Sequence, residues 1–185
     1  MTTVAVILAA GVGSRYDGAT HKLLAPFRDR PLVAWAIEVA VESQIGPVLV
    51  VGGAVDLAAH LPPGVQLVEN DRWAEGQATS LAAAVGAATE TGADAIVVGL
   101  GDQPLLEPSA WRAVAASASL IAVATYEGRR RNPVRLAAEV WPLLDREGDE
   151  GARGLMRRRP ELVEEVACVG NPVDVDTVEE LNQWS

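Results

Sequence analysis

The chain has 185 residues, of which 49% are hydrophobic and 22% charged, and its formal net charge is -10. This composition is typical of one globular domain and argues against disordered and fibrous classes. Because so acidic a chain repels polyphosphate backbones, we expect no nucleic-acid partner, and an anionic substrate must bind in a local cationic pocket.

Short β-branched runs alternate with longer alanine-rich helical patterns along the chain. The predicted strands are Val4–Leu8, Val48–Val51, Gln66–Glu69, Ala95–Leu100, Ile121–Tyr126, Pro133–Leu136 and Glu164–Cys168. The predicted helices are Leu32–Ser43, Gln77–Thr89, Pro108–Ala116, Ala137–Arg146 with a break at Pro142, Ala152–Arg158 and Val178–Trp184. This order predicts an α/β fold with a mostly parallel sheet in a single domain over residues 1–185, whose ligands bind at the carboxyl ends of the strands.

The first predicted strand runs into the glycine turn LAAGVGSR at 8–15, and Lys22 follows. Gly11 and Gly13 can take positive φ and have no Cβ, so the N–H groups between them can approach an anion, with Arg15 and Lys22 as countercharges. The chain has no Gly-Lys-Ser or Gly-Lys-Thr of a P-loop, and Tyr16 stands where a dinucleotide fingerprint needs its third glycine. The turn therefore predicts a triphosphate site, and a plain strand-to-helix turn is the alternative.

The segment after the third predicted strand contains Asn70, Gly76 and Ser80. It opens a helix whose free N–H groups suit ribose or base recognition. The alternative is a helix capped by Thr79 or Ser80, with Trp73 packing on the rim.

Asp102 directly follows the buried strand Ala95–Leu100 and is flanked by Gly101 and Pro104. A carboxylate held rigidly at the end of a strand is suited to bridge Mg²⁺ to phosphate oxygens. The alternative role, capping the helix that begins near Pro108, places Asp102 several residues too early.

A basic run, Arg129 to Arg131, is either a solvated turn or a contact for the phosphate of an acceptor. Cys168 is the only cysteine, so internal disulfides are excluded, and its apolar neighbours predict a buried structural thiol. The apolar run from Val4 to Ala10 is too short to span a bilayer and no basic leader precedes it. We expect a cytoplasmic protein with no membrane partner.

Near the end of the chain, Asp174 and Asp176 stand two residues apart. In a regular strand both would face one side and form a paired carboxylate surface for a metal. Asp176 also precedes the helix that starts near Val178, so capping that helix is an equal alternative. Asp174 is the weaker metal candidate because it lies further from the helix.

Taken together, these motifs make the sequence resemble nucleotidyltransferases of the molybdenum-cofactor cytidylyltransferase type, within the GT-A-like superfamily. The motifs that carry the resemblance, in family order, are LAAGVGSR with Lys22, the pattern Asn70, Gly76 and Ser80, GDQP at 101–104, Asn132-Pro133, GDEGAR at 148–153 and DVDT at 174–177. The resemblance implies a Rossmann-like three-layer α/β/α fold of the nucleotide-diphospho-sugar transferase type. It also implies transfer of a nucleoside monophosphate from a triphosphate, with release of pyrophosphate.

The resemblance also assigns residues. It implies Arg15, Lys22 and Asp102 as catalytic residues, and Asp102 and Asp176 as ligands of Mg²⁺. The implied nucleotide-binding residues are Leu8, Ala9, Ala10, Gly11, Gly13, Ser14, Arg15, Lys22, Asn70, Gly76 and Ser80, and the implied acceptor-binding residues are Asn132, Pro133 and Arg153.

The substrates follow from the same resemblance. The chain has LAAG where guanylyl-transferring relatives usually have LAGG, which favours CTP over GTP, and the acceptor then looks like molybdopterin, with a molybdoenzyme as the recipient of the product. Two departures are the longer interval between Arg15 and Lys22 and the presence of Asn132 where many relatives have His. The alternatives are guanylyl or other nucleotidyl transfer to a different small phosphorylated acceptor, and a non-catalytic chaperone that binds a nucleotide or cofactor.

Overall fold

The computed structural model of the chain describes residues 2–185. Its strands are β1 (Thr3–Leu8), β2 (Pro26–Phe27), β3 (Arg30–Pro31), β4 (Val48–Gly52), β5 (Val65–Glu69), β6 (Ala95–Leu100), β7 (Ile121–Tyr126), β8 (Arg129–Ala137) and β9 (Val163–Ala167). Its α-helices are α1 (Leu32–Ser43), α2 (Gln77–Glu90), α3 (Pro108–Ala115), α4 (Ala152–Arg158) and α5 (Val178–Trp184).

Seven strands form one sheet in the order β5-β4-β1-β6-β8-β7-β9. β1 pairs in parallel with β4 and β6, β4 with β5, and β7 with β9, whereas β8 runs antiparallel to both of its neighbours. The expected mostly parallel α/β sheet is therefore confirmed. The carboxyl ends of β1, β4 and β6 lie side by side, and the loops that follow them form one edge of the molecule.

Helices cover both faces of the sheet and give three layers. On one face, α1 and α3 pack on β1, β4 and β6, with Val33, Ile37, Trp111 and Val114 almost fully buried. On the other face, α2 and α4 bury Leu81 and Leu155 against the alternate residues of the same strands. Because successive side chains of a strand point to opposite faces of the sheet, each strand presents an apolar surface to both helical layers.

The predicted helix Ala137–Arg146 is wrong. Residues Ala138–Leu143 form a 3-10 helix instead, and Ala137 is the last residue of β8. Pro142 has no N–H to donate in an α-helix, and its ring would clash with the carbonyl one turn earlier, so this segment cannot continue as a regular α-helix.

A small third cluster holds the chain terminus in place. Phe27, Leu32, Val175 and Leu181 are buried together, which ties α5 and the segment before it to the β2–β3 hairpin. No helix within residues 2–185 is both long enough and apolar enough to cross a membrane.

Candidate active site

The loop after β1 is held between the ends of two neighbouring strands. Ala9 N donates to Val51 O at 2.9 Å, and Gly101 N donates to Leu8 O at 2.9 Å. Gly13 has a φ of +67°, and a Cβ there would lie 3.0 Å from Lys22 Cβ, so glycine is needed both for the turn and for the close approach of Lys22. Gly11 does not take the positive φ that the sequence allows; a Cβ there would meet nothing within 4 Å.

Lys22 joins the two carboxylates that the sequence singled out. Its Nζ donates to Asp102 Oδ2 at 2.7 Å and to Asp176 Oδ1 at 2.9 Å. The Lys22 side chain is 8% exposed, and the two carboxylates are 20% and 19% exposed. Residues far apart in sequence thus form one nearly buried cluster at the carboxyl end of the sheet.

The charges of this cluster stabilise the protonated lysine. Burial alone lowers the pKa of Lys22, but the charge and hydrogen bond of Asp102, together with those of Asp176, outweigh it, and the pKa lies above its ordinary value. Lys22 is therefore a permanent cation at neutral pH.

Asp176 reaches the cluster from the turn before α5 and does not cap that helix. The N-cap is Thr177, whose hydroxyl accepts from Glu180 N, while the Glu180 carboxylate accepts from the backbone N–H of both Asp176 and Thr177. Because Thr177 and Glu180 form the capping box, the Asp176 side chain is available to pair with Lys22 and Arg15. Arg15 Nη2 lies 2.8 Å from Asp176 Oδ2. The Arg15 side chain is 75% exposed and lies at the mouth of the site.

Asp102 also does not cap the following helix, because the N-cap of α3 is Glu107. Its Oδ1 is buried and has no hydrogen-bond partner among the described residues. A buried carboxylate oxygen without a donor suits a cation, and Mg²⁺ in phosphate-transfer sites is held by one or two carboxylates together with substrate phosphates. Residues 2–185 contain no group of three or more His, Cys, Asp or Glu placed to hold a metal on their own. The Asp102–Asp176 pair therefore fits a cation that is shared with a phosphate ligand.

An open cavity of about 360 Å³, called the loop cavity, is lined by Lys22 and Asp102 of the cluster, whereas Asp176 lies outside its lining. Of the residues expected to bind nucleotide, it is lined by Leu8, Ala9, Ala10, Gly11, Gly13, Lys22, Gly76 and Ser80, and Asp102 joins them. Its opposite wall contains Trp73, Gln77 and Asp149, which the sequence did not identify as binding residues. Ser14 and Arg15 lie outside this lining.

Asn70 also lies outside the lining, and its side chain is engaged within the protein. Its Nδ2 donates to Thr79 Oγ1 and to Ser80 Oγ, both at 3.0 Å, and its Oδ1 accepts from Arg72 N. Neither Thr79 nor Ser80 caps α2, since both lie inside the helix after the N-cap Gly76. The geometry gives Asn70 the role of holding the start of α2 against the end of β5.

A second cavity, of about 370 Å³, meets the loop cavity at Leu8, Gln77 and Leu100. It is called the arginine cavity because Arg130, Arg131, Arg153 and Arg157 line it. Arg130 pairs with Glu165 and Arg157 with Glu150, whereas Arg131 and Arg153 form no ion pair with other residues in 2–185. In an acidic protein, this cavity offers two guanidinium groups without an ion pair among the described residues, and the carboxylates of Asp174 and Glu150 lie near them.

A chain of three polar side chains lines the arginine cavity. Gln103 is 1% exposed; its Nε2 donates to Asp174 Oδ1 at 2.7 Å, and its Oε1 accepts from Asn132 Nδ2 at 3.0 Å. Burial, followed by the charges of Asp102 and Asp176, raises the pKa of Asp174. Both Asn132 and Asp174 line the arginine cavity, while Pro133 is buried in β8.

The expected paired carboxylate surface of Asp174 and Asp176 is wrong. Residues 171–176 form no regular strand, and Val175 N donates to Asp102 O at 2.9 Å. With Val175 buried, Asp174 contacts Gln103 and Asp176 contacts Lys22, so the two carboxylates have different partners. Gln103 was missed because its partners are distant in sequence; its place within GDQP is the only local signal.

Two other candidates have structural roles. His21 Nδ1 accepts from Leu23 N at 3.2 Å, and burial together with the nearby Lys22 charge lowers the pKa of His21. Cys168 is half-buried, and burial raises the pKa of its thiol, which disfavours the reactive thiolate.

The chain matches known proteins over nearly its whole length. Residues 5–166 match the family model described as "MobA-like NTP transferase domain". The chain is 34% identical to nicotine blue oxidoreductase of Paenarthrobacter nicotinovorans, over 95% of this chain and 93% of that protein. It is 29% identical to purine catabolism protein PucB of Bacillus subtilis, over 96% and 93%.

A solved structure is also similar in both fold and sequence. Rv0371c of Mycobacterium tuberculosis superposes with a TM-score of 0.84 and 28% identity, covering 98% of this chain and 96% of that one. A second structure of Rv0371c is a complex with manganese, with a TM-score of 0.79, 27% identity and coverage of 100% and 98%.

Proposed function

The chain belongs to the family of MobA-like NTP transferase domains, and from this premise we propose that it transfers CMP from CTP to a molybdopterin-like acceptor and releases pyrophosphate. The observation that carries the proposal is the Lys22–Asp102–Asp176 cluster beneath the loop cavity. A buried cation and two carboxylates beside an exposed glycine turn are the groups that a triphosphate and a divalent ion need.

In the proposed complex, the triphosphate lies in the loop cavity. The N–H groups of the Gly11–Gly13 turn face its phosphates, and the Lys22 ammonium donates to them. Arg15, at the mouth of the site, adds a second positive charge. Asp102 and Asp176 would hold Mg²⁺, which supplies charge neutralisation at the phosphate oxygens. Manganese in the Rv0371c complex supports a divalent ion for this fold.

The acceptor is proposed to bind in the arginine cavity, where Arg131 and Arg153 face its anionic group and Asn132 its polar edge. Because the two cavities meet at Leu8 and Leu100, an acceptor phosphate oxygen can reach the α-phosphorus. That oxygen forms the new P–O bond as the bond to pyrophosphate breaks. Positioning and charge stabilisation suffice for this step, so no protein nucleophile is required.

The donor is proposed to be CTP because Ala10 stands in the loop cavity where guanylyl-transferring relatives have glycine. We also propose a cytoplasmic location and a molybdoenzyme as recipient of the product. The name of the P. nicotinovorans relative denotes a redox reaction, but Tyr16 in place of the third fingerprint glycine favours triphosphate chemistry in this chain.

The experiment that tests the proposal measures pyrophosphate release by the purified protein. CTP, GTP, ATP and UTP are each supplied with molybdopterin and Mg²⁺. We expect release with CTP above all and none without acceptor. Absence of pyrophosphate with every triphosphate would contradict the molybdopterin assignment, and preference for GTP would contradict the assignment of the donor.

A further inference from the structure

Lys22 is the only lysine of the chain, and it occupies the position between the two proposed metal ligands. Two nearly buried carboxylates that share one partner need a cation between them, because burying unpaired charges is costly. In this structure the Lys22 ammonium is that cation. The side chains of Lys22, Arg15, Asp102 and Asp176 together are formally neutral.

The Lys22 side chain lies between the two carboxylates and the loop cavity. Its stem passes Gly13, where the missing Cβ leaves just enough room, and its side chain lines the loop cavity beside Asp102. The four rotatable bonds of lysine allow the ammonium to turn from the carboxylates toward the cavity while the backbone stays in place. The carboxylates and the proposed triphosphate position are thus within reach of one side chain.

We propose that Lys22 is the resident counterion of the Asp102–Asp176 pair, and that a divalent cation replaces it only when a triphosphate takes up the Lys22 ammonium. This inference rests on the proposed binding of the triphosphate in the loop cavity. A divalent ion that enters alone leaves the ammonium unpaired beside a second cation in a buried site. A triphosphate neutralises both, so each ligand strengthens the binding of the other, as linkage requires.

The test measures Mn²⁺ binding by electron paramagnetic resonance in the absence of acceptor. Wild type, Lys22→Met and Arg15→Met are each titrated with Mn²⁺ alone, with Mn²⁺ and CTP, and with Mn²⁺ and tripolyphosphate. Tripolyphosphate has no base, so the test does not depend on the choice of CTP. Arg15→Met is the matched control, because it also removes a cation from Asp176 but an exposed one.

We expect Lys22→Met to bind Mn²⁺ alone at least about tenfold more tightly than wild type, and wild type to gain a similar factor when tripolyphosphate is added. Arg15→Met should change the affinity for Mn²⁺ alone by a smaller factor. The proposal is overturned if wild type binds Mn²⁺ alone as tightly as it does with tripolyphosphate, or if Lys22→Met gains no affinity for Mn²⁺.

A second measurement uses the wild-type protein, in case Lys22→Met does not fold. Protein grown with isotopically labelled lysine gives a single Lys22 Cε signal in NMR, because no other lysine is present. We expect this signal to shift when Mg²⁺ and tripolyphosphate are added together and to stay in place with Mg²⁺ alone. An equal shift with Mg²⁺ alone contradicts the exchange. Neither measurement requires turnover, so a failure of the proposed CMP transfer would be recognised separately, as missing pyrophosphate.

Discussion

A mutation of Asp102 can distinguish a catalytic role of this residue from a structural one. Asp102 caps no helix, and its Oδ1 has no donor among residues 2–185. We predict that Asp102→Asn lowers kcat about 10²–10³-fold, since it removes charge from the proposed site of nucleotidyl transfer while keeping the side-chain size. The measurement is steady-state pyrophosphate release, with circular dichroism as the check on folding. Asp17→Asn, on the exposed part of the loop after β1, is the control and should retain wild-type activity.

Ala10 is the residue on which the choice of donor depends. Its side chain lines the loop cavity and lies so close to Gly53 that a Cβ there would be 2.9 Å from Ala10 Cβ. Because removing this methyl group would free space beside the loop cavity, we predict that Ala10→Gly raises kcat/KM for GTP relative to CTP. A single methyl-sized contact corresponds to about a tenfold change in this ratio. Competition assays with both triphosphates measure the ratio. An unchanged ratio would mean that the base is read elsewhere.

Gln103 fixes the direction of hydrogen bonding in the chain of polar side chains that lines the arginine cavity. Since the Asp174 carboxylate can only accept, Gln103 Nε2 must face it, and Gln103 Oε1 must face Asn132 Nδ2. We predict that Gln103→Glu, which places two carboxylates against each other, raises KM for the acceptor with little change in nucleotide affinity.

The double variant Gln103→Glu with Asp174→Asn tests the same chain, because an amide at position 174 can donate to the new carboxylate. The hydrogen bond between the two positions is then restored, with its direction reversed. We expect KM for the acceptor to return toward the wild-type value, measured by the same initial-rate assay. If the double variant is as impaired as Gln103→Glu alone, the hydrogen bond between positions 103 and 174 does not position the acceptor.

Among the elements, α5 delivers a residue to the site through its N-terminus. Its capping box joins Thr177 and Glu180, and Glu180 also binds the backbone of Asp176. We predict that Thr177→Ala costs about 1 kcal/mol of unfolding free energy. It should also weaken triphosphate binding, because Asp176 loses its fixed position. Urea denaturation and calorimetric titration measure the two effects. Glu179→Gln, an exposed change in the same turn, is the control and should alter neither quantity. Unchanged nucleotide binding in Thr177→Ala would mean that the capping box does not position Asp176 for the nucleotide.

Comparing the predicted with the observed elements shows which features local sequence patterns determine. The predicted bounds of α1, α4, α5, β6 and β7 agree with the structure, because periodicity, proline and glycine determine them locally. The β2–β3 hairpin was not predicted, since two-residue strands carry no period. Lys22, Asp102 and Asp176 could be identified from their motifs. The Gln103–Asp174 contact could not, because it depends on a loop folding back across 71 residues.

For the whole molecule, the carboxylates that lie close together in the site lower the free energy of unfolding by their mutual repulsion. Asp174 lies near Asp102 and Asp176, and burial and these charges raise its pKa above the ordinary value. Because the pKa of Asp174 is higher in the folded than in the unfolded state, ionising Asp174 lowers the free energy of unfolding. This loss is absent below the unfolded-state pKa and is complete once the pH has risen through the folded-state pKa. We therefore predict that Asp174→Asn has a higher Tm than wild type at pH 7 and that the difference shrinks toward pH 3. Calorimetry across this pH range measures it, and a difference that is independent of pH would contradict the assignment.

The charge of the whole molecule also sets the condition for substrate binding. A chain with a formal net charge of -10 would have to attract the two proposed anionic substrates through two local groups of cations. These groups are Lys22 with Arg15 and the guanidinium groups of the arginine cavity. Long-range repulsion is then screened by salt while the buried contacts of Lys22 are not. The fold thus places the loop cavity, proposed for the triphosphate, next to the arginine cavity, proposed for the acceptor.

The most direct test of nucleotidyl transfer follows the phosphorus atoms of CTP. CTP labelled separately at the α- and γ-phosphorus is incubated with wild-type protein, Mg²⁺ and molybdopterin, and the products are separated. If the protein transfers CMP, the α-label appears in the acceptor and the γ-label in pyrophosphate, in equal amounts. Release of the γ-label as inorganic phosphate, with the α-label left in CDP, would contradict this transfer and identify a hydrolase instead.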